Sequence, residues 1–434
     1  MKTVGTNLSA AIGLIALLGA CKDSQLPTEP GVRFRAEALE SEGSEGLGVF
    51  HRYVAIGTSI SMGVRSDGVF WRSQENSWPA QLARLAGREL SQPYISSTGC
   101  GAPLQAPLTS GLRISGEPAG GDPNTRACHE LQPGITLPTG NVAVDGARTR
   151  DALFSTTATY GGLRGGQYAR VLPPGETQVS AMLAQNPKVV SVELGGNEVL
   201  LARSGIFLPG VNIELVEVWK PLYRHVLDAV ESTAKHAVLF GMVDDAMEFP
   251  SFRTGQELWN ARQTFAPFNV AIAEDCGTIN STNVLFVAVR VPDAAARGAA
   301  RARAGLPGPH VMNCFNAPSS SGVQDFVLTA GEVTALTATM AEMDAFIRSE
   351  AERRGFAFTR LGALYSDVNV KAPFNAIALM TSAQPYGPHI GLDGIHPSAE
   401  GARVLADAAA TALNARYNLG IPLSTSNLVA LASR

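Results

Sequence analysis

From residue 52 onward, short apolar runs alternate with longer stretches of helical period. The run 52–57, Arg-Tyr-Val-Ala-Ile-Gly, ends in glycine and leads into the turn Thr58-Ser59-Ile60-Ser61-Met62-Gly63. At Ser77 the period changes. Ser77 reads as a cap, Pro79 falls in the first turn, and Leu82, Leu85 and Ala86 share one face, which predicts a helix. Apolar runs at 141–147, 188–194, 237–243, 284–289 and 356–360 read as strands, and helices are predicted near 177–185, 213–233, 259–273, 330–353 and 400–417. Strands alternating with helices predict a parallel, doubly wound α/β sheet.

Two stretches break the alternation. Residues 96–138 hold many glycines and prolines and no period, so they read as a loop-rich insertion. Residues 290–326 read as a second insertion, in which Arg290, Arg297, Arg301 and Arg303 form a solvated face. The chain is 434 residues long, 45% hydrophobic and 17% charged, with a net charge of −4. That balance supplies no basic field for a nucleic-acid backbone, so DNA and RNA are excluded as partners. No Cys/His cluster has zinc-site spacing, and neither a metal nor another cofactor is expected.

The N-terminus stands apart from the fold. Met1-Lys2-Thr3 is a short basic segment, and residues 8–18 are mostly apolar but too short to span a bilayer comfortably. Leu18-Gly19-Ala20-Cys21 resembles the lipobox of bacterial lipoproteins, which implies cleavage before Cys21 and its lipidation. The expected organisation is a signal peptide at 1–20, a flexible tether at 21–49, a folded domain at 50–420 and a tail at 421–434. An exported, lipid-anchored protein facing the periplasm or cell exterior is expected, held to a membrane surface through Cys21. In that oxidising setting Cys100, Cys128, Cys276 and Cys314 are expected to pair. Three connectivities exist; Cys100–Cys128 and Cys276–Cys314 are favoured because each closes a loop-rich excursion containing Gly and Pro.

Candidate chemistry centres on Asp393-Gly394-Ile395-His396-Pro397, where a carboxylate stands three residues before an imidazole. Such a pair can hold a histidine in one tautomer and let it take a proton from a hydroxyl. The turn after 52–57 offers Ser59 as that hydroxyl. Gly146 ends the apolar run at 141–147, and Asn197 follows Gly195-Gly196 after the run at 188–194, where its amide can donate to an oxyanion. Taken singly, each of these also reads as a turn residue or a helix cap.

In order, Gly57-Thr58-Ser59, Asn141 to Gly146, Gly195-Gly196-Asn197 and Asp393 to His396 resemble the four blocks of the SGNH (GDSL) hydrolase family. The resemblance covers roughly residues 50–418, interrupted by the two insertions. It implies a three-layer α/β/α sandwich with a flavodoxin-like sheet. Ser59 would be the nucleophile, His396 the general base and Asp393 its orienter, with an oxyanion hole from the Ser59 N–H, the Gly146 N–H and the Asn197 side chain. The implied activity is metal-free hydrolysis of small-molecule or lipid carboxylic esters by a monomer. Within the same fold the alternative is a glycan or phospholipid deacylase, and outside catalysis a silent binding lipoprotein. Two positions depart from the pattern: Thr58 and Glu198 each stand where the family usually has Asp. Thr58 is expected to accept one backbone hydrogen bond in place of that carboxylate. No Gly-x-Ser-x-Gly elbow surrounds Ser59, which argues against an ordinary α/β-hydrolase.

Overall fold

The computed structural model describes residues 44–243, 245–365 and 370–424; Cys21, most of the expected tether and residues 425–434 lie outside them. The strands in chain order are β1 (Tyr53–Gly57), β2 (Val189–Glu193), β3 (His236–Gly241), β4 (Phe252–Thr254), β5 (Val270–Ile272), β6 (Val284–Phe286), β7 (His310–Met312), β8 (Val327–Leu328) and β9 (Ala357–Arg360). The central sheet is parallel, in the order β1-β2-β3-β9. Its register pairs Gly57 with Glu193, so the carboxyl ends of β1 and β2 finish level.

The 141–147 run lies along the free edge of β1. Ala55 N–H donates to Gly140 at 2.8 Å, Val142 N–H to Ala55 at 2.9 Å and Val144 N–H to Gly57 at 3.1 Å. Counted as the second strand, it gives the order 2-1-3-4-5 of a flavodoxin-like sheet. Every residue of β1 and β2 is buried, which is why these strands read as mostly apolar runs rather than alternating ones.

Helices cover both faces. Trp78–Leu85 packs against Ala399–Tyr417 on one side, while Thr149–Phe154, Gln178–Leu183, Val216–Thr233 and Ala330–Arg354 pack together on the other. This is the expected α/β/α class. Trp78 packs on Phe240 of β3 with ring centroids 4.4 Å apart, and Trp219 meets Tyr223 and Phe346 in the opposite layer.

Between β3 and β9 the chain departs from the expected alternation. The 284–289 run does not join the central sheet: Val284–Phe286 pairs antiparallel with β4 and β8 in a separate three-stranded sheet. The expected helix at 259–273 is instead a Gly255–Asn260 helix, a 3-10 segment Arg262–Phe268 and strand β5. Its true start is a capping box: Thr254 accepts from the Glu257 N–H and Glu257 from the Thr254 N–H. The second insertion also contains a regular helix, Val287–Arg303, whose residues Val287, Val291, Ala294, Ala295 and Gly298 are buried on one stripe. Its arginines flank that stripe: Arg297 is exposed and pairs with Asp293, whereas Arg290 is half-buried and donates to the Asn313 carbonyl. The first insertion, by contrast, holds only isolated bridges and short 3-10 turns. Both cysteine pairs lie at bonding distance, Cys100–Cys128 at 2.09 Å and Cys276–Cys314 at 2.05 Å.

Candidate active site

Ser59 opens the one-turn helix Ser59–Met62 directly after β1, and Gly63 in the left-handed region (φ 92°) ends it. In a first turn the backbone N–H has no intrahelical partner, so the Ser59 N–H is left to face a ligand. Gly57 is required by close approach, since a Cβ there would stand 2.5 Å from the Ser61 hydroxyl.

A carboxylate from the neighbouring strand fixes the turn. Glu193, at the end of β2, accepts from the Thr58 N–H at 3.1 Å, the Thr58 hydroxyl at 2.9 Å, the Ser61 N–H at 3.3 Å and the Ser61 hydroxyl at 3.0 Å. Thr58 therefore donates through its hydroxyl, where the sequence suggested an acceptor. Trp78 completes the cluster by donating its indole N–H to the Ser61 hydroxyl at 3.1 Å. Burial raises the Glu193 pKa, and the donors from Thr58 and Ser61 only partly offset this. The sole clue to Glu193 in the sequence is one charged residue in an otherwise uncharged strand.

Asp393 and His396 form a buried pair, with His396 Nδ1 2.7 Å from Asp393 Oδ2. Asp393 Oδ1 accepts from the Ile395 and His396 N–H groups at 3.0 and 2.9 Å. Gly394 makes this hook (φ 68°), and a Cβ there would meet Ser251 at 2.6 Å and the Tyr386 ring at 2.9 Å. Ser398 then caps the Ala399–Tyr417 helix through the Glu400 and Gly401 N–H groups. The stretch thus holds both a carboxylate–imidazole contact and a helix cap, each on its own residues.

Burial favours neutral imidazole, but the charge and hydrogen bond of Asp393 outweigh it, so the His396 pKa is raised. Burial likewise works against the Asp393 carboxylate, and His396 with the backbone donors reverses it, holding that pKa down. His396 Nε2 makes no hydrogen bond among the described residues, to Ser59 or to any other group.

The pair is also held from outside. Asp67 donates its backbone N–H to Asp393 Oδ2 at 2.6 Å, and its carboxylate binds Arg113 at 2.6 Å and Arg126 at 2.8 Å. Both arginines come from the 96–138 insertion, which Cys100–Cys128 closes. Residues Asp67, Arg113 and Arg126 carry no local signature of this role.

Asn197 lies in the 3-10 turn Gly196–Glu198 after β2, and its Nδ2 donates to the Ala147 carbonyl at 2.9 Å. That bond ties the Gly-Gly-Asn turn to the residue beside Gly146. Gly146 adopts φ 70° with open space where a Cβ would stand, and its N–H has no partner among the described residues. Glu198 accepts from the Thr149 N–H at 2.6 Å through Oε1, while the buried Oε2 has no partner among the described residues. Burial pushes the Glu198 pKa up to about 7 against the pull of Thr149.

Ser59, Asn197 and Ile395 line one cavity, whereas Gly146, Asp393 and His396 do not reach its wall. The cavity lies over the carboxyl ends of the central strands, with residues that follow β1, β2, β3 and β9 in its wall, and includes the β1–β2 point where strand order reverses and α/β folds place their ligands.

No protein-family model matches the sequence, and no curated protein matches it. Among solved structures, the acetylxylan esterase Axe2 from Geobacillus stearothermophilus is similar at 13% identity, covering 86% of this chain and 96% of that chain, with a TM-score of 0.35. LAE5, an α/β hydrolase enzyme from the metagenome of Lake Arreo in Spain, is similar at 13% identity over 85% of this chain and 98% of that chain, with a TM-score of 0.34. Both likenesses are distant, and neither assigns a substrate or a residue to this chain.

Proposed function

We propose that this protein is a carboxylic ester hydrolase of SGNH type, acting through an acyl-enzyme on Ser59. The buried Asp393–His396 pair, whose intervening Ile395 lines one cavity with Ser59 and Asn197, carries the reading. Asp393 holds the Nδ1 proton, which leaves Nε2 as an acceptor. Nε2 takes the Ser59 proton as Oγ attacks the ester carbonyl carbon. The oxygen that becomes negative is met by the Ser59 N–H, the Gly146 N–H and the second N–H of the Asn197 amide. The carbon–alkoxy bond then breaks, and His396 returns the proton to the leaving alcohol. Water repeats the sequence and releases the acid.

The sequence around Cys21 supports a second part of this proposal: the enzyme is exported and held to a membrane by lipid on Cys21, with the catalytic domain on a tether. Fluorophosphonate labelling tests the chemistry. Wild type should label and hydrolyse short p-nitrophenyl esters, and Ser59→Ala should do neither while melting near the wild-type temperature. Labelling that persists in Ser59→Ala would move the nucleophile elsewhere. Cys21→Ser should release the protein from membranes with its specific activity intact, and continued membrane association would point to another anchor.

A further inference from the structure

The cavity beside Ser59 is large for the smallest esters. It has an empty volume of about 680 Å³, its open mouth included, and it runs beneath the nucleophile to the Ala330–Arg354 helix. Met242, Phe249, Phe252, Leu336 and Met340 form the inner wall. All but Phe249 are buried, so the inner wall belongs to the core while the mouth is open.

Of the polar side chains lining the cavity, Thr58, Glu193 and Tyr365 are committed elsewhere, while half-exposed Arg203 lies over the Phe286 ring with its guanidinium carbon 5.9 Å from the centroid. Tyr365 donates its hydroxyl to the Ile395 carbonyl, and Thr58 donates to Glu193. Glu193 is in turn taken up by the Thr58–Ser61 turn. A sugar ring pushed against the inner wall of Met242, Phe252, Leu336 and Met340 would leave hydroxyls without partners, which is costly in a dry site. An aliphatic group would not.

Which half of an ester enters follows from the order of bond breaking. The alcohol must leave once the carbon–alkoxy bond breaks, and it needs a path to solvent. The acyl group stays on Ser59 Oγ until water arrives, so a recess with a buried inner end suits it. At about 30 Å³ per heavy atom, the share of one water in the liquid, an octanoyl group needs roughly 270 Å³. The empty volume, which counts the open mouth, exceeds this.

We propose that this cavity receives the acyl chain, and that the substrates are esters of medium-length aliphatic acids rather than acetyl esters. The proposal rests on Ser59 being the nucleophile. It is tested with p-nitrophenyl esters from acetate to laurate on the wild-type protein. Each methylene buried should raise kcat/KM about fourfold, which gives a gain on the order of a hundredfold from acetate to hexanoate before the rise levels off. Acetyl esters of progressively longer alcohols should show no comparable rise. Met340→Trp, which fills the inner end, should lower the octanoate-to-acetate ratio at least tenfold. The wild-type series stands without that variant should it fail to fold. A flat acyl series with Ser59-dependent acetate hydrolysis would overturn the acyl assignment and leave the esterase reading standing. A rise with alcohol length instead would give the cavity to the leaving group and also overturn it. No hydrolysis and no fluorophosphonate labelling would remove both.

Discussion

Replacing Asp393 by asparagine keeps the outline of the side chain and turns one acceptor oxygen into a donor. Asp393 uses both oxygens: Oδ1 takes the Ile395 and His396 N–H groups, and Oδ2 takes His396 Nδ1 and the Asp67 N–H. An amide can satisfy only one side. If its NH2 faces Ile395 and His396, two buried backbone donors lose their acceptor, at about 1–3 kcal/mol each. If it faces His396 Nδ1, only the Asp67 N–H is left unpaired, and the ring takes the tautomer with its proton on Nε2. The second orientation costs one buried donor instead of two and should win. The outcome is a protein about 1–3 kcal/mol less stable whose base can no longer accept the Ser59 proton. The kcat should fall roughly 10³- to 10⁴-fold, the scale of a wrong tautomer in a serine protease triad, and less than in His396→Ala.

The pH dependence gives an independent readout. Asp393 raises the His396 pKa against burial, so losing its charge should move the ascending limb of kcat/KM to lower pH. Asp393 itself titrates below its unfolded value, so its contribution to stability is present at neutral pH and lost as pH falls through the acid range. The asparagine variant should lack that acid-side loss. Kinetics on p-nitrophenyl butyrate and thermal melts across pH measure both effects. An Asp393→Asn enzyme within fivefold of wild type in kcat, with its limb unmoved, would refute this division of labour.

Asn197→Ala should lower kcat by roughly 10²–10³ with little change in KM, because the amide works mainly when the oxyanion forms; unchanged kcat would make the Gly-Gly-Asn turn structural only. Glu198, with its pKa pushed up to about 7, should favour the fold below its unfolded pKa and lose that benefit as pH rises through about 7, by at most about 3 kcal/mol. Glu198→Gln should flatten the dependence of melting temperature on pH between about 4.5 and 7, and a slope equal to wild type would place the titration elsewhere. Cys100→Ala with Cys128→Ala opens a bridge of 28-residue separation, which should cost about 3–4 kcal/mol of stability. It should also lower kcat, because Arg113 and Arg126 then hold Asp67 less firmly; a stability loss with kcat unchanged would uncouple the insertion from Asp393.

The class of fold was legible because a buried parallel strand and an amphipathic helix each write their period into a few consecutive residues. The run before Ser59, the long helix Ala330–Arg354 and the closing helix Ala399–Tyr417 all stand where their periods put them. The Asp393–His396 contact was legible for a similar reason: three residues and one glycine suffice to fold the carboxylate onto the ring. Tertiary structure decided what local periods cannot encode. The run at 284–289 was apolar enough for the central sheet, yet its first three residues pair with β4 and β8, a choice made by strands elsewhere in the chain. The partner of Thr58 is 135 residues away, brought level only by the β1–β2 register. The backbone donor to Asp393 is 326 residues away, clamped by arginines from an insertion without a period. A hydrogen bond depends on where two groups finish in space, and over such separations only the folded sheet and its insertions determine that.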